Sequence, residues 1–413
     1  MGLSMRKVIK NIKQLVTPIS HDFAAGDNVK KLQIYEDVNI VIEDGVITDI
    51  TKKDVDCNDV IDASGKCVLP AFVDPHTHIP FIGSREDEFN KRIMGKTYME
   101  IAKEGGGINS TVRAVRNATF DELYKAAKKD LELMIKHGVA TIEMKSGYGL
   151  DLENELKQLR VIKKLQEEYP LDIKATFLGA HEIPPEYRGD KEKYVKIIID
   201  EMLPIVKEEG LAEYVDIFCE KDVFELDDTR KILSAAKELG FKIRIHADEI
   251  YPLGGAGLAA EFEAVSAEHL VKISDENIEK MIDKGVVFNL LPGTTFFLMS
   301  DDYAPARKIL EKGGIVALST DLNPGSSYTH SLPLIMAIAC LNMGMTMEEV
   351  INAVTINGAY SLELSNKTGS IHVGKQADLI VLNAPDYRYI VYNFGVNRVE
   401  KVLKNGVGIY NCF

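Results

Sequence analysis

The feature that most constrains the fold is an alternation of short apolar runs with amphipathic helical stretches through the middle of the chain. Such an alternation is typical of repeated βα units around a parallel sheet. The helical stretches Phe120 to His137 and Glu153 to Tyr169 are each followed directly by a Gly or Pro that ends the helix. Eight apolar runs predict an α/β fold of the (β/α)8 TIM barrel type. The predicted strands are Val68–Asp74, Ala140–Lys145, Ile173–Gly179, Tyr214–Cys219, Lys242–His246, Ala264–Glu268, Val286–Leu290 and Ile315–Thr320.

The two ends of the chain carry a different pattern, short alternating strands separated by polar turns. Within Asn39 to Ile50, the pair Asp44-Gly45 lies between two β-rich runs and predicts a hairpin. Near the other end, Ala377 to Leu382 and Arg388 to Asn393 also have the composition of strands. Since chain termini often lie close together, both ends are predicted to form one small β-sandwich domain. The predicted domains are a discontinuous β-sandwich of residues 1–69 and 367–413, and a barrel of residues 70–366.

Composition narrows the classes of function. The 413 residues carry a formal net charge of -14, whereas nucleic-acid binding needs concentrated Lys and Arg, so no nucleic-acid partner is expected. No apolar run approaches the roughly 18 residues of a spanning helix, and the N-terminal stretch lacks the apolar core of a signal peptide. Five cysteines without a CxxC pair favour a reducing cytoplasm over a disulfide framework.

Residues of metal-ligand type lie at the carboxyl ends of the predicted strands, where such barrels carry their catalytic groups. The first strand leads into His76 and His78, and the two-residue spacing on an extended segment points both imidazoles to one side. The fifth strand ends in His246, the sixth in His269 and the eighth in Asp321. Three imidazoles and one carboxylate suit Zn²⁺ or a similar ion that keeps a position for water.

Each of these residues also has a structural interpretation. A single His at a strand end is more often a hydrogen-bonded structural residue than a ligand, and HxH pairs arise by chance. Ligand-type residues at the ends of three separate strands jointly favour the metal site. His269 could equally hydrogen-bond a bound water, and its role stays open at this point. Four further histidines fall outside the pattern and are interpreted as surface or structural residues: His21, His137, His330 and His372.

Longer segments of the chain resemble the amidohydrolase superfamily, from Asp62–Gly65 through Leu69–His78 to Asp321. Within that superfamily, further segments are similar to those of the enzymes that open an imidazolone ring. These segments are Phe81–Phe89, Gly105–Ile108, Lys145–Gly149, Gly179–Glu182, His246–Glu249 and Ser319–Ser326. The resemblance implies a metal-dependent hydrolase of cyclic amide C–N bonds. Its implied reaction converts 4-imidazolone-5-propanoate to N-formimidoyl-L-glutamate in histidine degradation, and it implies a homodimer.

The resemblance also implies roles for individual residues. The implied metal ligands are His76, His78, His246 and Asp321. The implied substrate contacts are Arg85, Tyr148, His181, Glu249, Asn323, Gly325 and Ser326. In the expected catalysis, Asp321 accepts the proton of the attacking water and Glu249 relays a proton to the ring nitrogen. His269 is expected to orient the water, and His181 to polarise or hold the ring carbonyl oxygen.

The residues themselves support these substrate contacts unevenly. The guanidinium of Arg85 can grip a carboxylate through two parallel hydrogen bonds, although a surface ion pair with Glu86 or Asp87 would have the same sequence pattern. Tyr148 lies in a Gly-flanked turn, where many tyrosines only pack. The turn from Asn323 to Ser326 could donate backbone N–H groups to a carboxylate, but Asn-Pro-Gly is also ordinary turn chemistry.

The number and identity of the metals are only partly constrained. Superfamily members with two metals typically bridge them with a carboxylated lysine at the end of the fourth strand, which here carries Cys219 and Glu220. Lys221 is next, and strand alternation turns it away from Glu220. A single ion is therefore expected, either zinc or iron, because imidazole and carboxylate ligands serve both.

Two other functions compete with ring hydrolysis. The first is a deaminase of the same superfamily acting on a heterocyclic base, because the same ligand set serves both reactions. The Arg85 and Asn323 segments favour a small acid over a neutral base. The second is a non-catalytic scaffold, which would be expected to have lost its ligands, whereas this chain keeps them.

Overall fold

The computed structural model describes residues 6–96, 100–101 and 104–412 and contains two eight-stranded sheets. The strands are β1 (Arg6–Pro18), β2 (Leu32–Glu43), β3 (Val46–Thr51), β4 (Val60–Asp62), β5 (Cys67–Pro70), β6 (Phe72–Asp74), β7 (Val139–Lys145), β8 (Asp172–Ala180), β9 (Tyr214–Cys219), β10 (Lys242–Ala247), β11 (Ser266–His269), β12 (Val287–Leu290), β13 (Val316–Leu318), β14 (Leu379–Leu382), β15 (Val399–Lys404) and β16 (Val407–Asn411). The α-helices described are α1 (Glu86–Ile93), α2 (Ile108–Asn117), α3 (Phe120–Lys136), α4 (Leu152–Glu168), α5 (Lys191–Ile197), α6 (Leu203–Glu208), α7 (Leu226–Glu238), α8 (Gly255–Glu261), α9 (Asp275–Lys284), α10 (Pro292–Phe297), α11 (Ala306–Glu311), α12 (Leu332–Met343), α13 (Met347–Val354), α14 (Ile356–Ser361) and α15 (Tyr389–Tyr392).

Strands β6 to β13 are parallel and pair in sequence order, which confirms the predicted (β/α)8 architecture. The first and last strands meet through contacts just beyond their carboxyl ends. Thr320 Oγ donates to Asp74 Oδ2 at 2.7 Å, and the backbone N–H of Asp321 donates to the carbonyl of His76 at 3.1 Å. The backbone N–H of His78 donates to the Leu322 carbonyl at 3.0 Å. Closure of the barrel therefore places the HxH segment directly beside Asp321.

The first predicted strand, Val68–Asp74, is in fact two strands in different sheets. Cys67–Pro70 pairs with β14 in the sheet of the chain ends, whereas Phe72–Asp74 begins the barrel. The N–H of Ala71 still donates to the Asp378 carbonyl, and that of Phe72 already donates to Gly138 of the barrel. The apolar run is continuous because both sheets bury it. The bounds of the other seven barrel strands lie within two residues of the prediction.

The chain ends form the second sheet, in the strand order β16-β15-β14-β5-β1-β2-β3 with β4 beside β1. The predicted hairpin at Asp44-Gly45 is confirmed, and the positive φ angles of 50° and 83° at these residues suit a type I′ turn. The sheet encloses a core of its own in which Ile47 of β3 and Leu403 of β15, far apart in strand order, belong to one apolar cluster. The sheet therefore folds over, as a β-sandwich would. The domain limits at residues 69 and 367 stay a prediction.

The segment Arg388–Asn393, predicted as a strand, is helical over Tyr389–Tyr392, so that prediction is wrong. Asp386 starts the helix, because its carboxylate accepts from the N–H of Arg388 at 2.9 Å and its carbonyl from the N–H of Tyr389 at 3.3 Å. The helix buries Ile390 and Val391. Aromatic and β-branched residues favour strands only weakly, and local capping with burial outweighs that preference. Within the described part of the chain, no helix combines the length and apolar character needed to cross a bilayer.

A buried ion pair ties the two sheets together. Lys404 is 2% exposed and lies 2.7 Å from Asp378 Oδ2, and it also contacts Asp172 at the start of β8. We expect Lys404→Met to lower the free energy of unfolding by about 3–5 kcal/mol, because it leaves the Asp378 carboxylate buried without its cation. Urea unfolding followed by circular dichroism measures this loss. Lys401→Met, in the same strand but partly exposed, should change the free energy by no more than about 0.5 kcal/mol. Equal effects of the two changes would contradict the prediction.

Candidate metal centre and active site

The four side chains predicted as metal ligands converge at the carboxyl ends of the barrel strands. Nε2 of His78 lies 3.1 Å from Asp321 Oδ1, and Nε2 of His76 lies 3.3 Å from the same oxygen. Nε2 of His246 lies 3.4 Å from Nε2 of His78. All four side chains are buried. The structure therefore brings together residues that are separated by up to 245 positions in the sequence.

The donor atoms of this cluster fit a metal ion. Nε2 of His76 and Oδ1 of Asp321 are buried without a hydrogen-bond partner among the described residues, which is costly for polar atoms. His76, His78 and His246 can place one ligand nitrogen each within 4.8 Å of one another. Two neutral imidazole nitrogens that face each other at 3.4 Å repel unless a cation or proton lies between them. Imidazole nitrogens and one carboxylate oxygen are the donors that borderline divalent ions prefer.

Buried carboxylates orient two of the imidazoles. Nδ1 of His246 lies 3.0 Å from Asp216 Oδ1, and Nδ1 of His76 lies 3.1 Å from Glu268 Oε2. Because an ionised carboxylate only accepts, Nδ1 of His246 must donate to Asp216, and Nε2 of His246 keeps its lone pair for a metal. Thr294 donates to Asp321 Oδ2, which leaves Oδ1 for the ion. Sequence reasoning missed Asp216 and Glu268. In the sequence, each is only an acidic residue inside an apolar run. Asp216 lies in the strand before the one that carries His246, and Glu268 directly precedes His269.

Two buried cations balance these carboxylates, and sequence reasoning missed them as well. Nζ of Lys145 lies 3.2 Å from Asp216 Oδ2 and 3.1 Å from His76 Nδ1, and Arg244 Nη2 lies 3.2 Å from Glu268 Oε1. Burial alone would raise the pKa of Glu268, but Arg244 and His76 together hold it well below its ordinary value. Glu268 is therefore kept ionised although it is buried.

The candidate lysine after the fourth barrel strand does not join this network. Lys221 is exposed, with Nζ 4.7 Å from the centre of the Tyr251 ring, as strand alternation predicts. The lysine that contacts the His–Asp cluster comes instead from the end of the second barrel strand, at Lys145.

A cavity of about 510 Å³ opens above the cluster. Every predicted site residue lines it except His76, which is buried beneath. The residues that both line the cavity and were predicted are His78, Arg85, Tyr148, His181, His246, Glu249, His269, Asp321, Asn323, Gly325 and Ser326. Apolar side chains such as Phe218 and Leu298 complete the wall. The size suits a small molecule rather than a polymer.

Glu249 and His269 lie next to each other in the cavity wall. Nδ1 of His269 lies 3.6 Å from Glu249 Oε1, and His269 can also place a nitrogen within 4.8 Å of ligand atoms of His76 and Asp321. Burial raises the pKa of Glu249 above its ordinary value, and the Asp321 charge adds to this, although the neighbouring His269 lowers it in part. A carboxyl group with a raised pKa keeps its proton more readily than an ordinary carboxylate does, which suits proton transfer.

His181 presents an acceptor to the cavity. Its Nδ1 lies 2.9 Å from the carbonyl oxygen of Gly147, and because a carbonyl only accepts, Nδ1 carries the proton. Burial lowers the pKa of His181 to about 3, so the ring is neutral and Nε2 keeps a lone pair. The ring stacks on His78 with centroids 4.9 Å apart, and Tyr148 packs against both rings. This neutral tautomer suits a substrate N–H better than the carbonyl oxygen expected from the sequence.

The turn after Asp321 is held by the side chain of Asn323. Its Oδ1 accepts from the backbone N–H groups of Gly325 and Ser326 at 2.9 and 2.8 Å, and its Nδ2 donates to the carbonyl of Asp321 at 2.7 Å. The N–H groups that the sequence offered to a substrate carboxylate are therefore already used within the turn. Asn323 therefore positions this part of the cavity wall and joins it to the backbone of Asp321.

The closed barrel, the sheet formed by both chain ends and the buried His–Asp cluster together define a metal-dependent hydrolase. The chain belongs to the amidohydrolase family, whose family model matches residues 67–408. An imidazolonepropionase from Clostridium tetani (strain Massachusetts / E88) is 50% identical over 98% of this chain and 98% of its own length. An imidazolonepropionase from Geobacillus sp. (strain WCH70) is 48% identical over 96% of both chains. A solved structure of 5-methylcytosine deaminase from Klebsiella pneumoniae matches 99% of this chain and 98% of its own with a TM-score of 0.75, and its 18% identity shows the shared fold alone.

Proposed function

We propose that the chain hydrolyses the cyclic amide C–N bond of 4-imidazolone-5-propanoate and produces N-formimidoyl-L-glutamate, as a step of histidine degradation. The observation that carries this proposal is the convergence of His76, His78, His246 and Asp321 beneath a small cavity that also holds arginine side chains. Relatives of about half-identical sequence that carry the name imidazolonepropionase support it. We propose one bound ion, zinc or iron, held by these four residues.

A bound ion would lower the pKa of a water molecule from 15.7 to about 7 and so make a nucleophile available near neutral pH. Asp321 is placed to accept the proton that this water loses, because its carboxylate lies at the ligand cluster. Glu249 would then donate a proton to the ring nitrogen as the C–N bond breaks, which its raised pKa permits. His269, which faces Glu249, would orient the attacking water.

The ring itself would be held by His181 and Tyr148. The lone pair on His181 Nε2 can accept from a ring N–H, because Nδ1 is committed to Gly147. Tyr148 borders the same part of the cavity and is only 3% exposed, so its ring would pack on the flat heterocycle. Holding the ring carbonyl oxygen with His181 would require a protonated imidazole, which burial disfavours.

Ring opening by the wild-type protein tests the function directly. Metal-replete protein is incubated with 4-imidazolone-5-propanoate, and the loss of ring absorbance is followed while the product is identified by mass. We expect stoichiometric conversion to N-formimidoyl-L-glutamate that stops when a chelator removes the metal. Ammonia release from cytosine or guanine, with no change in the imidazolone absorbance, would instead establish the deaminase alternative.

Arg85→Ala should mainly raise KM for this substrate, by about tenfold to a hundredfold, with a smaller change in kcat. The change removes a charged hydrogen-bond donor and leaves Glu88 in the cavity without its cation, so a carboxylate is also repelled. Steady-state kinetics measures the effect. Arg230→Ala, on the outer helix α7 and exposed, should leave both constants unchanged. An unchanged KM in Arg85→Ala would place the carboxylate clamp elsewhere.

Partners and location are also proposals. We infer a cytoplasmic enzyme, which the five free cysteines, all in the described part of the chain, support. We infer no nucleic-acid partner, because the net charge of -14 opposes binding to phosphates. A homodimer is inferred from the resemblance, and sedimentation analysis of the purified protein would test it.

A further inference from the structure

One wall of the cavity carries three charged side chains, one at the N-terminus of α1 and two on one face of that helix. Glu88 and Arg92 are four residues apart on one face of α1, whereas Arg85 is the residue before the helix, and all three border the cavity. Of these, only Arg85 is among the residues that the sequence singles out. Arg92 therefore borders the substrate space without a role in the chemistry described so far.

Glu88 already accepts hydrogen bonds from two of the three guanidinium nitrogens of Arg85. Nε and Nη2 of Arg85 both donate to Glu88 Oε2, at 3.0 and 2.7 Å, and the remaining Nη1 points toward Gly325. Glu88 is held in place by the backbone N–H of Gly107 at 3.1 Å and by Ser110 Oγ at 3.2 Å. Although burial alone would raise the pKa of Glu88, the bonds from Arg85 lower it below its ordinary value. Arg85 and Glu88 thus form a fixed and locally neutral pair.

The charge of Arg92 has no such partner. Its Nη2 donates to the carbonyl of Gly325 at 3.2 Å, and its Nε is buried without a hydrogen-bond partner among the described residues. Its guanidinium carbon lies 5.8 and 5.3 Å from the ring centres of Phe89 and Phe297, which hold it from the side. No ion pair of Arg92 with a carboxylate occurs within the part of the chain that the structure describes. Among the residues that the structure describes, one positive charge on this wall therefore lacks a paired carboxylate.

Both guanidiniums meet at Gly325. A Cβ added there would lie 2.2 Å from Arg85 Nη1, so only glycine admits that guanidinium, while the carbonyl of the same residue binds Arg92. The backbone N–H groups of Gly325 and Ser326 cannot serve as anion donors, because Asn323 Oδ1 accepts them both. Among the described residues of this wall, the free guanidinium donors are therefore Nη1 of Arg85 and the unused N–H groups of Arg92.

Two guanidiniums and one carboxylate leave a net charge of one, which a single carboxylate neutralises. We propose that Arg92 is a specificity-determining residue that binds the carboxylate of a monoanionic substrate together with Arg85. This inference rests on the proposed function, in which the propanoate tail of the imidazolone is that carboxylate. The Arg85–Glu88 pair sets the position of one guanidinium, and Arg92 supplies the charge that discriminates acid from neutral ligands.

The test compares an acid with its uncharged amide in the metal-replete protein. For Arg92→Met, kcat/KM for 4-imidazolone-5-propanoate should fall by about tenfold to a hundredfold, mainly through KM, whereas kcat/KM for 4-imidazolone-5-propanamide should change by less than about threefold. Arg92→Lys keeps the charge and should recover part of the preference for the acid. The exposed Arg113→Met, on the neighbouring helix α2, should leave both substrates unaffected. Equal losses for acid and amide would assign Arg92 to packing on Phe89 and Phe297 and overturn the proposal.

A binding measurement separates this inference from the proposed reaction. Calorimetric titration with 3-(imidazol-4-yl)propanoate and with its amide needs no turnover. We expect Arg92→Met to weaken binding of the acid by about tenfold or more and to leave binding of the amide unchanged. If the wild-type protein opened no imidazolone ring, the proposed function would fail, while the ratio of these two affinities would still decide the role of Arg92. An unchanged ratio in the variant would reject it.

Discussion

His246→Ala is expected to remove the bound metal and to lower turnover of 4-imidazolone-5-propanoate by at least about a thousandfold. His246 supplies one of the three imidazole nitrogens of the cluster, and its Nε2 faces His78 at 3.4 Å. Activation of water by a metal lowers the reaction barrier by several kcal/mol, which corresponds to about a thousandfold in rate. Metal content by mass spectrometry and kcat in metal-supplemented buffer measure the two effects together.

Two further variants serve as comparisons for the effect of His246→Ala on metal binding and turnover. Asp216→Asn removes the carboxylate that orients His246 and pairs with Lys145 but keeps all four candidate ligands, so it should weaken metal binding by about tenfold to a hundredfold rather than abolish it. His21→Ala, an exposed histidine that stacks on His372, should keep both metal and turnover. A His246→Ala protein with one bound metal and near-normal kcat would show that the four side chains do not form the metal site.

Glu249→Gln should retain the metal while kcat falls by about a hundredfold to ten-thousandfold. The amide keeps the size of the side chain but cannot carry the proton that the ring nitrogen needs as the C–N bond breaks. Glu249 is suited to that transfer because burial raises its pKa and because it faces His269 at 3.6 Å. Single-turnover kinetics with metal analysis of the same sample separates loss of chemistry from loss of the ion.

The matched control is Glu186→Gln, a carboxylate outside the metal cluster that pairs with Arg116. Its kcat should stay within about twofold of the wild-type value, because surface substitutions rarely affect distant chemistry. A Glu249→Gln protein with near-normal kcat would remove Glu249 from the proton path. Asp321 or His269 would then have to deliver the proton.

Much of the fold was predictable because its signals are local. Strand and helix periods differ, so the eight apolar runs and the helices between them can be recognised without any contact information. The hairpin at Asp44-Gly45 follows from the positive φ angles that this pair tolerates. The strand predicted at Arg388–Asn393 is wrong because a weak local preference is outweighed by other contacts. Its residues favour strands weakly, and the hydrogen bonds from Asp386 start a helix that burial then retains.

The candidate ligands were predictable for a similar reason. Catalytic side chains in this architecture lie at strand ends, so His76, His246 and Asp321 can be selected once the strands are known. The partners that orient and neutralise them were not predictable. Lys145 and Glu268 are ordinary residues in apolar runs, and only the packing of neighbouring strands brings them within about 3 Å of a ligand. The turn at Asn323 shows the same limit, because its apparent anion donors are consumed by its own side chain.

By itself, the sequence determined the class of fold, the strand ends that carry chemistry and the four residues expected to bind a metal. It did so because alternation, helical period and turn chemistry act within a few residues of the chain. Only the tertiary structure decided which atoms face the cavity, as in the neutral tautomer of His181, and which charge lacks a carboxylate partner among the described residues, as in Arg92. Barrel closure between Asp74 and Thr320 joins residues 246 positions apart, and burial and pairing arise only from such contacts.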